Sequence, residues 1–252
     1  MEAPTPVSAL IHAATLVTAG VYLIIRSSSM LALVPGLLGT LALLGAFTSL
    51  FAGITGLRQM DLKRIIAFST CSQVAYMMLA VGSGANTYGL FLLVTHAFYK
   101  ALLFLGAGAV LHAIAGIQDI RLMGGVGKAM PLVSAAMLVG AAALGAAPYT
   151  SGDFSKDMII ELQLGPGIVL HNLVWLLAIV SAGLTLYYSA RLHRLTFGGE
   201  PRGNVGVTAS LHDPASLITV PVILFLTVAS VGFGFVARDM FEPSSGALGL
   251  NQ

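Results

Sequence analysis

The chain has 252 residues, of which 57% are hydrophobic and 9% charged, with a net charge of +2. Water-soluble domains carry about 25% charged residues, so this composition is that of a polytopic membrane protein. The charge excludes the strongly basic surface of a nucleic-acid-binding domain. The single cysteine, Cys71, excludes an internal disulfide, a thiolate-held iron–sulfur cluster and a cysteine-based zinc site.

Apolar runs separated by glycine, proline and charged residues predict seven membrane-spanning helices. They lie near residues 6–25, 31–57, 62–82, 87–114, 130–164, 168–195 and 214–237. The fifth run is interrupted from Pro148 to Asp153, where proline and glycine disfavour a continuous helix, so we expect two half-helices. The longest polar stretch, from about Phe197 to Asp213, is predicted to be a connecting loop. The predicted fold is an all-α membrane domain.

The basic residues outside the spans separate cleanly onto two sides of this topology. One side holds Arg58, Lys63, Arg64, Arg121, Lys128, Arg191, Arg194 and Arg202, and the other holds Arg26 and Arg238. By the positive-inside rule the first side faces the cytoplasm or the mitochondrial matrix. The N-terminus is therefore expected on that side and the C-terminus on the opposite one.

Two lysines, Lys100 and Lys156, remain inside the predicted spans. Lys100 lies about 18 Å from either end of its helix, too far for its side chain to reach the interface. A charge at this depth costs about 3 kcal/mol or more, so it usually faces a partner or a water-filled path. His96 lies one turn earlier on the same face, and an imidazole beside a lysine makes two steps of a proton relay. A structural ion pair is the alternative interpretation.

Lys156 follows the predicted break. If Asp153 caps the second half-helix, Lys156 occupies its first turn. The helix dipole and burial then oppose the charged amine while a nearby carboxylate favours it, which suits a group that loads and releases a proton. Asp157 and Glu161 share a face and lead toward the less basic side as a candidate exit, although a solvated helix end explains Glu161 equally well.

His12 belongs to a thin polar stripe of the first helix, with Ser8, Thr15 and Tyr22 at helical spacing. Polar side chains in hydrocarbon need partners, so the stripe is expected to pack against another helix. Two interpretations of His12 stay open, a hydrogen-bonded seam between helices and a step of a proton path.

Five colinear motifs resemble the antiporter-like subunits of respiratory complex I, most closely the subunit 5 branch. They are PTPVSALIHAATLVTAGVY from Pro4, DLKRIIAFSTCSQ from Asp61, THAFYKALLFL from Thr95, QDIRLMGG from Gln118 and TSGDFSKD from Thr150. The similarity is weaker in YSAR from Tyr188 and TFGG from Thr196. The STCSQ string resembles complex I more than the related multisubunit sodium–proton antiporters.

The resemblance implies a single membrane domain built from inverted five-helix repeats. The chain would supply the last helix of a first repeat (4–26), a complete second repeat (about 31–197) and one further helix (about 214–237). Each repeat of the family contains a broken helix and a half-channel for protons.

The resemblance also implies roles for residues. His12 would link the two half-channels, His96 and Lys100 would form the relay on an intact helix, and Lys156 with Asp157 would be the terminal proton site. Where the family often has a further histidine, one turn before His96, this chain has Leu92. The central relay must then use water or another group.

The expected function is proton translocation in complex I, driven by electron transfer from NADH to ubiquinone elsewhere in the complex. NADH, FMN, iron–sulfur clusters and ubiquinone are expected in other subunits, with no cofactor or metal on this chain. Since the family's N-terminal helices, lateral helix and final span are missing, we expect the C-terminal piece of a split subunit 5. Its partners would be a separately encoded N-terminal fragment, other membrane-arm subunits and lipid, in the mitochondrial inner membrane or, alternatively, a bacterial plasma membrane.

Three alternatives are distinguishable by experiment. A sodium–proton antiporter subunit would show sodium-dependent transport without coupling to NADH oxidation. A retinal-type photoreceptor needs an aromatic pocket around its lysine, and no aromatic stripe near Lys100 and a single tryptophan argue against it. A purely structural subunit would tolerate removal of both buried lysines.

Overall fold

A computed structural model describes residues 1, 3–34, 36–163, 169–202 and 214–241, which are helical apart from short connections and contain no strand. The helices of these ranges are α1 (Thr5–Arg26), α2 (Ser28–Leu31), α3 (Leu37–Arg58), α4 (Leu62–Gly82), α5 (Asn86–Ala113), α6 (Val126–Ala129), α7 (Pro131–Leu144), α8 (residues 151–161), α9 (Val169–Phe197) and α10 (Pro214–Phe241). Six of them, α1, α3, α4, α5, α9 and α10, are long and apolar enough to cross a membrane.

The predicted all-α membrane fold is confirmed, with differences at the ends of elements. The interrupted fifth run forms α7 and α8, joined by a connection at residues 145–150. The second long helix begins at Leu37 rather than near residue 31, because Gly36 with φ +80° turns the chain between α2 and α3. His212 and most of the predicted loop before Asp213 lie outside the described residues.

Helix starts follow local side-chain chemistry. The Asp61 carboxylate accepts a hydrogen bond from the Arg64 N–H at 2.9 Å, which satisfies one of the unpaired donors at the start of α4. Pro131 occupies the first position of α7, where its missing N–H costs nothing. These signals fix where the chain enters the membrane core on two neighbouring helices.

Helices α3 and α4 approach closely because small residues lie between them. An ideal Cβ built on Gly45 would lie 2.7 Å from the Ala75 carbonyl oxygen and 2.7 Å from the Leu79 nitrogen. A Cβ on Gly82 would overlap the backbone of Ala42. Glycine is therefore required at this crossing, as is common where membrane helices pack backbone to backbone.

Helix α5 lies at the centre of the bundle. It packs against α1, α4, α7, α8 and α10, and α4 and α5 are the most buried of the long helices. The polar side chains in the middle of α5, Thr95, His96 and Lys100, are therefore enclosed by protein, which makes this helix the axis of a candidate site.

The predicted basic loops meet at one end of the bundle. The Leu62 N–H donates to Gln118 O and the Ile120 N–H donates to Met60 O, both at 2.9 Å, which joins the α3–α4 turn to the segment after α5. Arg191 of α9 donates to the Gln59 carbonyl at 2.6 Å. The eight basic residues assigned to one side by sequence are thus clustered at one end of the described structure.

Candidate functional site

Lys100 is fully buried near the middle of α5. Its ammonium group donates to the Ile66 carbonyl at 3.0 Å and to the Ser69 hydroxyl, both on α4. It forms no ion pair within the described ranges of the chain. A lysine held by neutral acceptors alone is poorly compensated when charged, so its proton is available for transfer.

Two histidines accompany Lys100. His96 is fully buried one turn away, its ring lies edge-on to Tyr99 with 5.5 Å between centroids, and neither nitrogen has a hydrogen-bond partner among the described residues. His12 of α1 is half-buried against Phe104 at 6.0 Å. The segment of α1 that contains His12 packs against α5, which carries His96 and Lys100. The structure therefore brings together the three residues of the predicted central relay.

Lys156 lies in α8 and is 1% exposed. Its ammonium nitrogen has no hydrogen-bond partner among the described residues and lies 4.9 Å from the centroid of the Tyr76 ring. An aromatic face attracts a buried cation, so Tyr76 partly replaces the missing counter-ion. The half-buried Asp157 follows Lys156 and interacts with it electrostatically.

A pair of buried hydroxyl groups lies between α5 and α8, on the residues that precede His96 and Lys156 in the sequence. Thr95 of α5 and Ser155 of α8 are both fully buried, and their oxygens are 2.9 Å apart, with either one able to donate. Leu92 occupies the position, one turn before His96, at which the resemblance would suggest a further histidine, and it is buried. The hydroxyl pair thus provides polar contact between α5 and α8 that Leu92 cannot make.

Sequence reasoning missed several residues of this site. Tyr99 donates to the Gln73 side-chain oxygen at 3.3 Å, and the Gln73 amide donates to the Leu144 carbonyl at the end of α7, also at 3.3 Å. With Ser69 and Tyr76, Gln73 forms a buried polar row at positions i, i+4 and i+7 of α4. This helical spacing within an apolar span was the signal that could have revealed them.

His12 and Lys156, the first and last histidine or lysine of the polar path that runs through His96, Lys100, Thr95 and Ser155, both lie in π-helical segments. One spans Ala9–Thr15 and contains His12, and the other spans Asp153–Asp157 and contains Lys156. A π turn leaves a backbone carbonyl without its usual α-helical partner and is often found at functional sites. Residue periodicity does not reveal such turns, because the insertion of one residue leaves composition unchanged.

The geometry of the break differs from the prediction. Helix α8 begins at residue 151, so Asp153 lies in its first turn and Lys156 in the second. The Asp153 carboxylate accepts from the Tyr149 N–H at 2.9 Å. The expectation that Asp153 is the cap and Lys156 the first turn is wrong, because Ala146 and Tyr149 adopt positive φ and reverse the chain before Gly152.

The polar stripe of α1 also differs from the prediction. Ser8 is buried, His12 is half-buried and directed toward α5, and Thr15 and Tyr22 are exposed. The π segment between them rotates later positions away from the face of His12, so the four residues do not share one side. The Thr15 hydroxyl donates to the Leu10 carbonyl at 2.9 Å and is satisfied within its own helix.

The acidic residues of α8 are graded in exposure. Asp157 is half-buried and Glu161, one turn later, is exposed at the end of the helix. This places carboxylates of decreasing burial beyond Lys156, away from the basic end.

The sequence of this chain matches a known protein family. A family profile described as "NADH:quinone oxidoreductase/Mrp antiporter, TM" matches residues 1–185. The chain belongs to this family. The assignment covers all five predicted site residues.

Several relatives in the NADH:quinone oxidoreductase/Mrp antiporter family are named "NADH-ubiquinone oxidoreductase chain 5". Over 241 residues the chain is 48% identical to that of Cryptococcus neoformans var. grubii serotype A, 48% to that of Schizophyllum commune and 45% to that of Acanthamoeba castellanii. These alignments cover 96% of this chain but 36%, 35% and 36% of the relatives, so the chain spans about a third of their length.

The fold of this family member is also found in a solved structure. In the structure of the Mrp complex from Dietzia sp. DQ12-45-1b, one chain superposes with a TM-score of 0.68 and 22% identity. The match covers 81% of this chain and 45% of that chain. It shows the shared multi-pass helical fold.

Proposed function

We propose that this chain is a proton-translocating membrane subunit of respiratory complex I and corresponds to part of chain 5. The observation that carries the proposal is the pair of buried lysines, Lys100 and Lys156, which have no ion-pair partner in the described ranges. His96 and the Thr95–Ser155 hydroxyl pair lie on the same two helices. The names of the relatives, which share 43–48% identity over nearly the whole chain, support this complex over a sodium–proton antiporter.

The proposed path follows polar side chains on three helices that pack against one another, α1, α5 and α8. A proton enters at His12 and is held by His96 and Lys100 on α5. It passes to α8 through Thr95 and Ser155, whose hydroxyls can exchange donor and acceptor roles. The path then continues to Lys156 and the α8 carboxylates.

Charge repulsion supplies the coupling in this path. Two uncompensated ammonium groups in a low-dielectric interior disfavour each other, so protonation of one lysine promotes release from the other. Electron transfer from NADH to ubiquinone in other subunits would supply the energy, and this chain would hold no redox group. Proton movement along α5 and α8 would then be the contribution of this chain to NADH:ubiquinone reductase activity.

We also propose a location and an orientation. The relatives are fungal and amoebal proteins, which supports the mitochondrial inner membrane. The basic end of the bundle would face the matrix, since positively charged loops are retained on that side. The start of α1 lies at this end, where Lys63 donates to the Ala3 carbonyl at 3.2 Å.

The outer face of α1 is a proposed contact with further helices of chain 5. Leu16, Tyr22 and Leu23 are 70%, 52% and 66% exposed there. In each relative, the part outside the alignment is about twice as long as the matched part. It is expected from the family to include further membrane segments. Whether those helices belong to a separate polypeptide, as the split-subunit hypothesis holds, is decided by the chains that co-purify with this one.

The proposed function is tested by replacing the two buried lysines in the intact complex. Lys100→Met and Lys156→Met should each lower proton pumping by about two orders of magnitude while NADH oxidation falls less, because a proton-transfer group is lost and no redox group is touched. Lys128→Met is the matched control, since Lys128 is exposed and paired with Glu200 at 3.2 Å.

Pumping is measured as acidification of sealed vesicles during NADH oxidation, with and without sodium. Full pumping in both buried-lysine variants would overturn the proposal. Sodium-dependent transport without NADH would assign the chain to an antiporter complex instead.

A further inference from the structure

A cleft of about 490 Å³ opens at the basic end of α9, apart from the polar path. Its lining follows one stripe of the helix and continues over the turn after it. The lining residues are Tyr187, Ala190, Arg191, Arg194, Leu195, Gly198, Gly199 and Arg202. The cleft thus contains three arginines, and none of the described residues that line it is acidic.

Two of the arginines are held in place by main-chain carbonyls. Arg191 donates to Gln59 O at 2.6 Å, and the Arg202 Nε donates to Met123 O at 2.8 Å. Neither pairs with a carboxylate within the described ranges, because the nearby Glu200 pairs with Lys128. A guanidinium has five N–H donors, so donors remain after these contacts, including the Arg191 Nε, which is buried without a partner among the described residues.

The third arginine completes the cationic end of the cleft. Arg194 is exposed and lies in the last turn of α9, and its side chain makes no hydrogen bond to the described part of the chain. Gly199, with φ +76° and open space around its Cα, keeps the cleft unobstructed beside it. The three positive charges therefore converge on one open space.

The opposite end of the cleft is apolar and exposed. Tyr187 is 65% exposed and lies about two helical turns or 10 Å from Arg194, with the exposed Ala190 between them. Tyrosine is enriched at the boundary between headgroups and hydrocarbon. The surface thus changes from apolar to cationic along the direction in which a phospholipid lies beside a helix.

We propose that this cleft binds the phosphate group of an anionic phospholipid, with an acyl chain beside Tyr187 and Ala190. Arginine pairs with phosphate oxygens through two parallel N–H donors. Basic pockets between membrane helices on the positively charged side are a typical setting for such headgroups. The apolar lower end favours a lipid over free phosphate, which has no group to place there.

Photolabelling of the chain together with its co-purifying partners tests the proposal. The probe is a photoreactive phosphatidylglycerol in phosphatidylcholine vesicles, and the readout is label on the peptide 187–202. Arg194→Gln should lower labelling about fivefold, the loss expected for one arginine near an anionic surface, whereas Arg194→Lys should lower it less. Because the Arg194 side chain makes no hydrogen bond to the described part of the chain, folding should be unaffected.

The matched control is Arg64→Gln, which removes the same charge from an exposed arginine at the same end but outside the cleft. It should leave labelling unchanged. Absent labelling of the peptide in the unmodified protein, unchanged labelling in Arg194→Gln, or equal labelling by photoreactive phosphatidylcholine would overturn the proposal. Complete competition by inorganic phosphate would reassign the cleft to free phosphate and overturn the lipid assignment.

Discussion

At the scale of single residues, the site is defined by polar groups that are buried without strong partners. Lys156 shows this most clearly, because its ammonium group has no hydrogen-bond partner among the described residues and lies over the face of Tyr76. The Tyr76 hydroxyl donates to the Ala178 carbonyl at 2.5 Å, which fixes the ring against α9. Tyr76 is thus a positioning residue that stabilises the protonated form of Lys156 inside the bundle.

Two substitutions of Tyr76 distinguish the effect of its aromatic ring on Lys156 from the effect of its hydroxyl group. Tyr76→Leu removes the aromatic face and should raise the free energy of the protonated lysine by about 0.5–2 kcal/mol, whereas Tyr76→Phe retains the face. Half-maximal pumping in Tyr76→Leu should therefore move to a lower pH, while Tyr76→Phe keeps the profile of the unmodified protein. Identical pH profiles in the two variants would show that the ring does not act on the lysine.

At the scale of elements, close helix contacts hold the polar path in place. The α3–α4 crossing depends on Gly45 and Gly82, and the contact between α7 and α8 depends on Gly152, where a Cβ would overlap the Ala143 carbonyl oxygen. The two half-helices are therefore in close contact at the break. Alanine ordinarily favours a helix over glycine, but at Gly152 its Cβ is sterically excluded.

The α3–α4 crossing is tested by two glycines on the same helix. Gly45→Ala should destabilise the protein by about 1–3 kcal/mol, because its Cβ meets the backbone of α4. Gly39→Ala is the control, since nothing lies within 4 Å of a Cβ at that position. It should be neutral or stabilise by up to about 1 kcal/mol through helix propensity.

Stability is measured as the free energy of unfolding, or as the midpoint of thermal unfolding in detergent. Equal effects of the two substitutions would mean that α3 and α4 do not approach as closely as described.

At the scale of the whole molecule, the described bundle is asymmetric. Helices α4 and α5 are enclosed, while α1 is packed on α5 along one face and exposes large apolar side chains along the other. Since the polar path begins at His12 on α1, helices bound to the outer face of α1 would extend that path beyond this part of the chain.

Photocrosslinking tests whether the outer face of α1 contacts protein. A photoreactive residue at Leu23, which is 66% exposed, should crosslink to helices outside the described bundle in the assembled complex. The same residue at Val21, which is 1% exposed on the same helix, should crosslink within this chain alone. Products of the Leu23 probe with lipid alone would contradict the proposed contact.

The overall architecture was predictable because the bilayer restricts the choice of structure. Long apolar runs must be helical in hydrocarbon, and buried lysines at positions such as Lys100 stand out from composition alone. The spacing of His96 and Lys100 was likewise sufficient to place them on one face of α5. The order of helices and the shared face of His96 and Lys100 therefore required no tertiary information.

The sequence by itself determined a multi-pass helical membrane protein, the position of its interrupted helix and the basic side of the bundle. Only the tertiary structure decided which groups meet across helices: the Thr95–Ser155 pair, the Tyr76 ring beneath Lys156 and the link through Gln73. It also placed π turns at His12 and Lys156. The physical reason is that residue spacing reports one helix at a time, whereas these contacts depend on how closely and at which rotation separate helices pack.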